Sequence, residues 1–554
     1  MNWQPWRRVV RSALQVPTDL TWKDWLEYAL LAAISVVAWV HARSYAGAII
    51  DDAFITFRHS WNLIHGRGLS YNPAERVEGT SSLLFSVLMA IPIALGADPY
   101  RCAGLLGRFA LVACAVAAYA SVRACVRDGS RRALALGAAA IVACSSELAF
   151  HSQTGMETLL YASLIAAGLA LQLASSAKQQ PTPTWATVFG LAALTRPEGW
   201  VLFLLAFAVG CLGRGSAPGV QAIAKRELTR FAWLFLPVLA FRLVYFGSWL
   251  PNTVLAKGGH LGWLFHTPGR AALERLLHGP SASLLEGYVR SHPVASSLLL
   301  GTILLQRTRQ AGLTALSFTL ACAALALWSD GDWMPYDRLL TPCVVPLAVG
   351  AVLGLRGLFF HREQLSRLGH LPSYAFSGLA LAAISAAAHT RLDIEKVSWV
   401  SLARLRAMGE RLAPLAREDE LVATEYAGIL PYYWRAPTLD MLGLCDPHIA
   451  RHGAPQPLGA GRKDLTYVVA QRPTFYAFNL ASEAAIFYSE PAFASQRDEY
   501  ALLQFPYRFL EPLQALPLTV FVRKDRKDVE GLARAVGGQL IDPALELKRL
   551  GYLR

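Results

Sequence analysis

The chain is 554 residues long, 54% apolar and 16% charged, with a mean hydropathy of +0.34; this is too greasy for a soluble multidomain enzyme and fits a polytopic membrane protein. Its net charge of +13 does not point to nucleic acid, because Lys and Arg fall in short runs between long apolar stretches, as cytoplasmic loops require. The eight cysteines form neither a disulfide framework nor a C-x-x-C metal site, and all but Cys445 sit in or beside apolar stretches, where they read as small buried hydrophobes.

A spanning helix needs about 20 mostly apolar residues, and basic flanks mark the cytoplasmic side. With Arg7, Arg8, Arg11 and Lys23 inside and no small-residue cleavage site, the first span, 27–48, is expected to stay as an anchor and to deliver Asp51 and Asp52 to the outer face. Phe54, Phe57, Trp61 and Ile64 recur at helical spacing, so 53–65 is expected to be an amphipathic helix lying in the outer interface. "GRGLSYNP" then turns the chain. The stretch 81–96 is short and contains Pro92; if it crossed, "RACVRDGSRR" would lie outside, so it is expected to be a re-entrant or juxtamembrane helix on the outer side.

The remaining spans then alternate: 103–122, 132–149, 157–175, the short pair 184–195 and 199–213 meeting at "TRPEG", and then 230–247, 294–306, 311–328, 338–357 and 373–389. The total is about eleven, so residues 1–389 form the membrane domain, with its first external loop at 49–102, and 390–554 lie outside. That tail has ordinary polarity and strand-like runs, "LVATEY", "PTLDML" and "LTYVVAQ", between helical ones, which predicts one small α/β domain.

In this topology the unusual polar groups gather on the outer face: Asp51, Asp52 and Arg58; Glu78; Glu147, His151 and Glu157; Arg196 and Glu198; Asn252, Lys257 and His260; Asp330, Asp332, Trp333, Asp337 and Arg338. Each has a bland explanation. A charged pair marks where a span stops, "TRPEG" is a turn with an internal ion pair, and "GDWMP" is an interfacial Trp anchor. Independent accidents should fall on both sides, however, and ionisable groups at membrane depth are costly enough to be kept for function or pairing. A carboxylate there can act as general base towards a hydroxyl or bind a metal that does. Arginines and Lys257 can hold a phosphate and stabilise it as a leaving group. Together these imply group transfer from a lipid-linked phosphate donor.

At this point the chain resembles a known family. "DDAF" at Asp51–Phe54, continued by "ITFRHSWNLIHGRGLSYNPAERVEGTSS", is similar to the first external loop of GT-C fold glycosyltransferases, most closely the branch that includes the mycobacterial terminal β-(1→2) arabinofuranosyltransferase. The likeness continues through "GMET", "LTRPEG", "LPNTVLAK", "GDWMPYDRLL" and "ATEYAGILPYYWRAPTLDMLGLCDPHIA", and so covers most of the chain. It departs at "EGTSSLLFS", where many relatives have an aromatic-rich "EGYTNFLW" type of ending, which leaves sugar and acceptor specificity open.

The resemblance implies an inverting enzyme of the bacterial plasma membrane, with its N-terminus cytoplasmic and its active site and C-terminal domain periplasmic. The implied donor is a polyprenyl-phosphate sugar, decaprenylphosphoryl-arabinofuranose in this branch, and the acceptor a glycan, lipid or protein. Asp51 and Asp52 carry the acidic motif, with Asp51 favoured slightly as base, and Glu157, with Glu147 second, is the acceptor-side acid. Arg58, Arg196, Lys257 and Arg338 are expected on the donor phosphate, and Glu78, Asn252, Asp332 and Trp333 on the substrates. A divalent cation is left open, since acidic pairs serve both metal-dependent and metal-free designs. The aromatics of "LPYYW" suit sugar stacking and a buried aromatic core equally. The alternative function is a transporter or flippase of lipid-linked sugars, whose inverted repeats are not evident here.

Overall fold

The structure is a computed structural model that describes residues 20–73, 75–178, 185–212, 220–257, 269, 274, 278–304, 309–328, 333–359, 394–456, 460–479, 481–505 and 518–553. Among these, four helices are long and apolar enough to cross a membrane: Trp22–Ser44, Pro99–Cys125, Thr158–Ser175 and Gln221–Phe246. Five shorter apolar helices accompany them, Leu83–Ala94, Trp185–Thr195, Gly199–Cys211, Ala311–Leu325 and Thr341–Gly357. The expected span at 373–389 and the boundary at 389/390 lie outside the described residues.

Local chemistry sets the helix ends. The first helix begins at Trp22 rather than 27 because Thr21 and Asp24 form a capping box, the Asp24 carboxylate accepting from the Thr21 amide at 2.9 Å and hydroxyl at 2.6 Å. Asp98 caps Pro99–Cys125, accepting from Tyr100 N at 2.8 Å, with Pro at the first helical position. Leu83–Ala94 has 12 residues, a rise of about 18 Å, too short for a hydrocarbon core of about 30 Å. Its Val87 and Ile91, with Leu95 just past its end, form an exposed stripe.

The membrane body is held by small-residue packing. Ala110, Ala115 and Ala118 of Pro99–Cys125 meet Ala135, Ala138 and Ala139 of Arg131–Ala143 in one buried cluster, the close approach that packs helices where lipid is the competing solvent. Inside the first helix Glu27 is 2% exposed and is neutralised by Arg123 at 3.4 Å and Arg132 at 3.1 Å. At Gly107 an added Cβ would overlap the Ser152 carbonyl oxygen. Because that atom is backbone, Gly107→Ala is expected to cost about 1–3 kcal/mol through overpacking, read as a lower unfolding temperature in detergent than that of an alanine placed at the exposed Val116 of the same helix.

The C-terminal segment begins with the helix Ile394–Leu412 and builds a six-stranded sheet in the order β2-β1-β5-β7-β6-β8. The strands are β1 Val422–Thr424, β2 Thr438–Asp440, β5 Phe475–Phe478, β6 Tyr500–Phe505, β7 Leu518–Arg523 and β8 Gln539–Ile541; β3 Ala454–Pro455 and β4 Arg462–Lys463 form a separate pair. β1 runs parallel to β2 and β5, and the remaining pairs in the large sheet are antiparallel. "LVATEY" and "PTLDML" thus hold strands as expected. "LTYVVAQ" does not: Leu465–Ala470 is helical, because Asp464 caps it by accepting from Tyr467 N at 2.9 Å, and this local bond outweighs the β-branched content.

The helix expected at 53–65 is present as Asp52–Ile64, but it does not lie as a half-wet interfacial helix. Its polar residues Thr56, Arg58, His59, Ser60 and Asn62 are buried along with Phe54 and Phe57. One apolar cluster runs from Phe54, Phe57, Phe85 and Met89 into Tyr432, Trp434, Phe475 and Val520, so the helix is wedged between membrane body and sheet. The aromatics of "LPYYW" serve this core: Trp434 is 1% exposed, and Tyr432 packs edge-on against Phe54 at 5.4 Å.

Candidate active site

Beside the wedged helix lies a cavity of about 370 Å³, within the size range of small-ligand sites. Asp52 reaches it from the first turn of Asp52–Ile64, where a carboxylate is favoured by the helix dipole. Lys257 reaches it from the last turn of Asn252–Lys257, the favoured end for a cation, and its Nζ lies 3.4 Å from Asp52 Oδ2. The turn after Trp185–Thr195 supplies Arg196, whose Nε sits 2.6 Å from Glu198 Oε1 and whose Nη1 sits 3.7 Å from Glu157 Oε1. Arg338 completes the ring, its Nη1 3.6 Å from Met156 Sδ. It follows two successive residues with left-handed backbone, Tyr336 at φ 57° and Asp337 at φ 46°, strain of the kind that gathers at functional sites.

Three carboxylates (Asp52, Glu157, Glu198) and three cations (Arg196, Lys257, Arg338) therefore line one cavity. Hydroxyls line another part, with Thr56 and Thr80 3.0 Å apart and Ser81 and Thr253 nearby. The rest is apolar: Trp200, Val201, Trp249, Leu250, Val254, Leu325 and Leu339, with Leu444 contributed by the C-terminal segment. Trp249 is 57% exposed, and so marks the open edge of the cavity. Thr56, Thr80, Trp249 and Leu444 are not among the expected residues; a hydroxyl in a helix or one leucine in a distant tail carries no sequence signal for a site.

The other expected residues are placed differently. Asp51 is not on the cavity wall: its carboxylate accepts from the backbone N–H of Gly428 at 2.9 Å and of Ile429 at 2.8 Å. The surrounding protein pushes it up to about 7, with the neighbouring Asp52 adding to the shift and the two amides opposing it. Arg58 also points away, into backbone carbonyls of the C-terminal segment. Glu78 pairs with Arg242 at 3.0 Å, and its carbonyl accepts from Asn252 N at 2.9 Å. The Asn252 side chain donates to the carbonyls of Gly443, Leu444 and Asp446. Glu78 and Asn252 thus back the cavity and border a separate cavity of about 40 Å³ with Arg76 and Arg451. Trp333 is 40% exposed and off the wall, as is the buried Glu147. Asp332 lies outside the described residues.

Among the described residues no three His, Cys, Asp or Glu converge as metal ligands. The cation facing Asp52 is the Lys257 ammonium.

The loop that carries Leu444 is organised by Asp440, whose carboxylate accepts from Leu442 N at 2.9 Å and Cys445 N at 2.7 Å. Burial pushes Asp440 up to about 7. The native state therefore keeps a proton there that the unfolded chain releases near its ordinary value of 3.8. The stabilisation tied to that proton is complete below the unfolded value and is lost as pH rises through about 7. Asp440→Asn removes this contribution, so the decline in unfolding temperature between pH 5 and 8 is expected to be shallower in the variant than in the wild type.

Residues 394–526 match the family described as a domain of unknown function, DUF8728. No curated protein matches the chain. Among solved structures, ArnT from Cupriavidus metallidurans in the apo state superposes with a TM-score of 0.53 at 12% identity, covering 90% of this chain and 98% of that one. The same protein bound to undecaprenyl phosphate gives 0.50 at 12% identity, covering 91% and 99%. The Archaeoglobus fulgidus oligosaccharyltransferase in the apo form gives 0.50 at 14% identity, covering 90% and 77%. These likenesses establish the fold, a GT-C-like membrane architecture.

Proposed function

We propose that this chain is an inverting membrane glycosyltransferase that moves a sugar, arabinofuranose foremost, from a polyprenyl-phosphate donor to a glycan, lipid or protein acceptor. The observation that carries the reading is one cavity lined by Asp52, by Arg196, Lys257 and Arg338, and by the apolar Trp200, Trp249 and Leu250, with Lys257 set against Asp52. That pairing of a cationic clamp with a greasy edge suits a phosphate attached to a lipid. The solved structure of ArnT with undecaprenyl phosphate, which shares the fold, supports the same class of donor.

In this reading the acceptor hydroxyl gives its proton to the Asp52 carboxylate as its oxygen forms the new bond to C1 of the sugar. The bond from C1 to the phosphate oxygen breaks on the opposite face, and polyprenyl phosphate departs with the electron pair, its charge met by Lys257, Arg338 and Arg196. Glu157 and Glu198 hold Arg196 in place. The C-terminal segment, which contributes Leu444, acts as a cap over the cavity on the periplasmic side of the plasma membrane, with the N-terminus cytoplasmic.

The test is product analysis of the purified protein in detergent with radiolabelled polyprenylphosphoryl-arabinose, -mannose and -glucose, with membrane extract as acceptor. Release of polyprenyl phosphate from one donor would establish the reaction class and the sugar together. Turnover of none would overturn the proposal and make movement of lipid-linked sugar in proteoliposomes the next assay.

A further inference from the structure

Asp51 and Asp52 are adjacent in sequence, but their carboxylates meet different surroundings. Asp52 faces the cavity and Lys257. Asp51 stands at the N-cap position of Asp52–Ile64 yet makes no capping bond to its own helix; each of its two oxygens instead takes one backbone amide from the C-terminal segment, Ile429 N at 2.8 Å and Gly428 N at 2.9 Å. The approach is close enough that a Cβ at Gly428 would overlap the Asp51 backbone carbonyl. The stretch that follows the helix ties the C-terminal segment again, Tyr71 Oη donating to Ala427 O at 2.6 Å and Asn72 Nδ2 donating to Thr438 O at 2.8 Å.

We propose that the two aspartates have divided tasks: Asp51 is a positioning residue that fastens the C-terminal segment to the first turn of the helix, and through that contact fixes where the Asp52 carboxylate sits. The proposal rests on the reading of Asp52 as the base. The Asp51 carboxylate is turned from the cavity into the two amides, and it is joined directly to Asp52 by one peptide bond, so docking of the segment and alignment of the base are a single mechanical event. Misplacing a reacting group by about 1 Å can cost about 10²-fold in rate.

The test compares Asp51→Asn, Gly428→Ala and Asp52→Asn in the full-length protein, with hydrogen exchange of the peptide spanning 427–434 as a second readout. Asp51→Asn and Gly428→Ala are expected to speed exchange in that peptide and to lower kcat by up to about 10²-fold, with the donor KM within about twofold because the cations that hold phosphate are untouched. Asp52→Asn is expected to lower kcat at least as far with exchange unchanged. Unaltered exchange in Asp51→Asn together with a loss as deep as that of Asp52→Asn would overturn the proposal, since Asp51 would then act on substrate itself. Faster exchange with full activity would overturn it as well. If the wild type turns over no lipid-linked sugar, the functional reading fails separately, and the exchange arm alone decides whether Asp51 is the fastening.

Discussion

Asp52→Asn is expected to lower sugar transfer by about 10²–10⁴-fold, the range for removal of a general base, while the protein stays folded in the membrane. The change swaps one oxygen for a nitrogen, so packing is nearly conserved, and the ionic partner given up among the described residues is the Lys257 ammonium 3.4 Å away. That contact is partly open, with side-chain exposures of 20% and 15%, so its loss should cost well under about 1 kcal/mol. The effect therefore falls on chemistry rather than on folding. The measurement is single-turnover release of polyprenyl phosphate with donor at saturation, beside the unfolding temperature of each protein. A large fall in rate with an unchanged unfolding temperature is expected. A rate within about threefold of the wild type would remove Asp52 as the base.

Much of this site is legible in the amino-acid sequence, for a reason that is energetic. A carboxylate pair at the end of a span, a lysine in "LPNTVLAK" and arginines in "LTRPEG" and "YDRLL" are expensive where they stand, and the cavity indeed collects Asp52, Lys257, Arg196 and Arg338. Shortness, Pro92 and the arginines of 123–132, which a crossing would put outside, together set 81–96 apart from the spans, and the helix there, Leu83–Ala94, has 12 residues. What the residues do not convey is direction. Which of two adjacent aspartates faces the cavity depends on amides nearly four hundred positions away, at Gly428 and Ile429. Backbone amides leave no compositional trace, so nothing in the sequence corrects a preference for Asp51 over Asp52. The helix at Leu465–Ala470 escapes a reading by composition for the opposite reason: its signal, the Asp464 cap, is strictly local and stands among valines that favour a strand.

Arg58 is the sharpest case of the same blindness, and it carries the largest expected effect on stability. An arginine shortly after an acidic motif looks like a phosphate ligand. In the structure it is 3% exposed, stacked on the Tyr71 ring at 4.5 Å, and it donates to Tyr71 O at 2.7 Å, Pro431 O at 2.6 Å, Ala436 O at 2.8 Å and Asn72 Oδ1 at 3.1 Å. Two of those acceptors belong to the C-terminal segment, so the guanidinium rivets the wedged helix to it. Arg58→Ala takes a charged donor from every one of these buried acceptors, although each keeps one other, Asn62 Nδ2 on Tyr71 O, Arg435 N on Pro431 O, Thr438 Oγ1 on Ala436 O and Thr438 N on Asn72 Oδ1, and it opens a hole the size of the side chain. The expected net loss is about 3–5 kcal/mol, because hydrogen bonds from a charged donor contribute about 1.5–3 kcal/mol each and the lost packing adds to them, while release of a buried charge offsets part of the sum. Arg58→Lys should recover less than half of it, because a point ammonium cannot span acceptors that the planar fork meets at once. Thermal unfolding in detergent, paired with limited proteolysis of residues 394–553, reads both effects. A phosphate ligand would behave in the opposite way: its replacement would raise the donor KM severalfold and leave unfolding temperature and protease resistance where they were. That outcome would return Arg58 to the donor site and dismantle the account of the helix as a wedge riveted to the C-terminal segment.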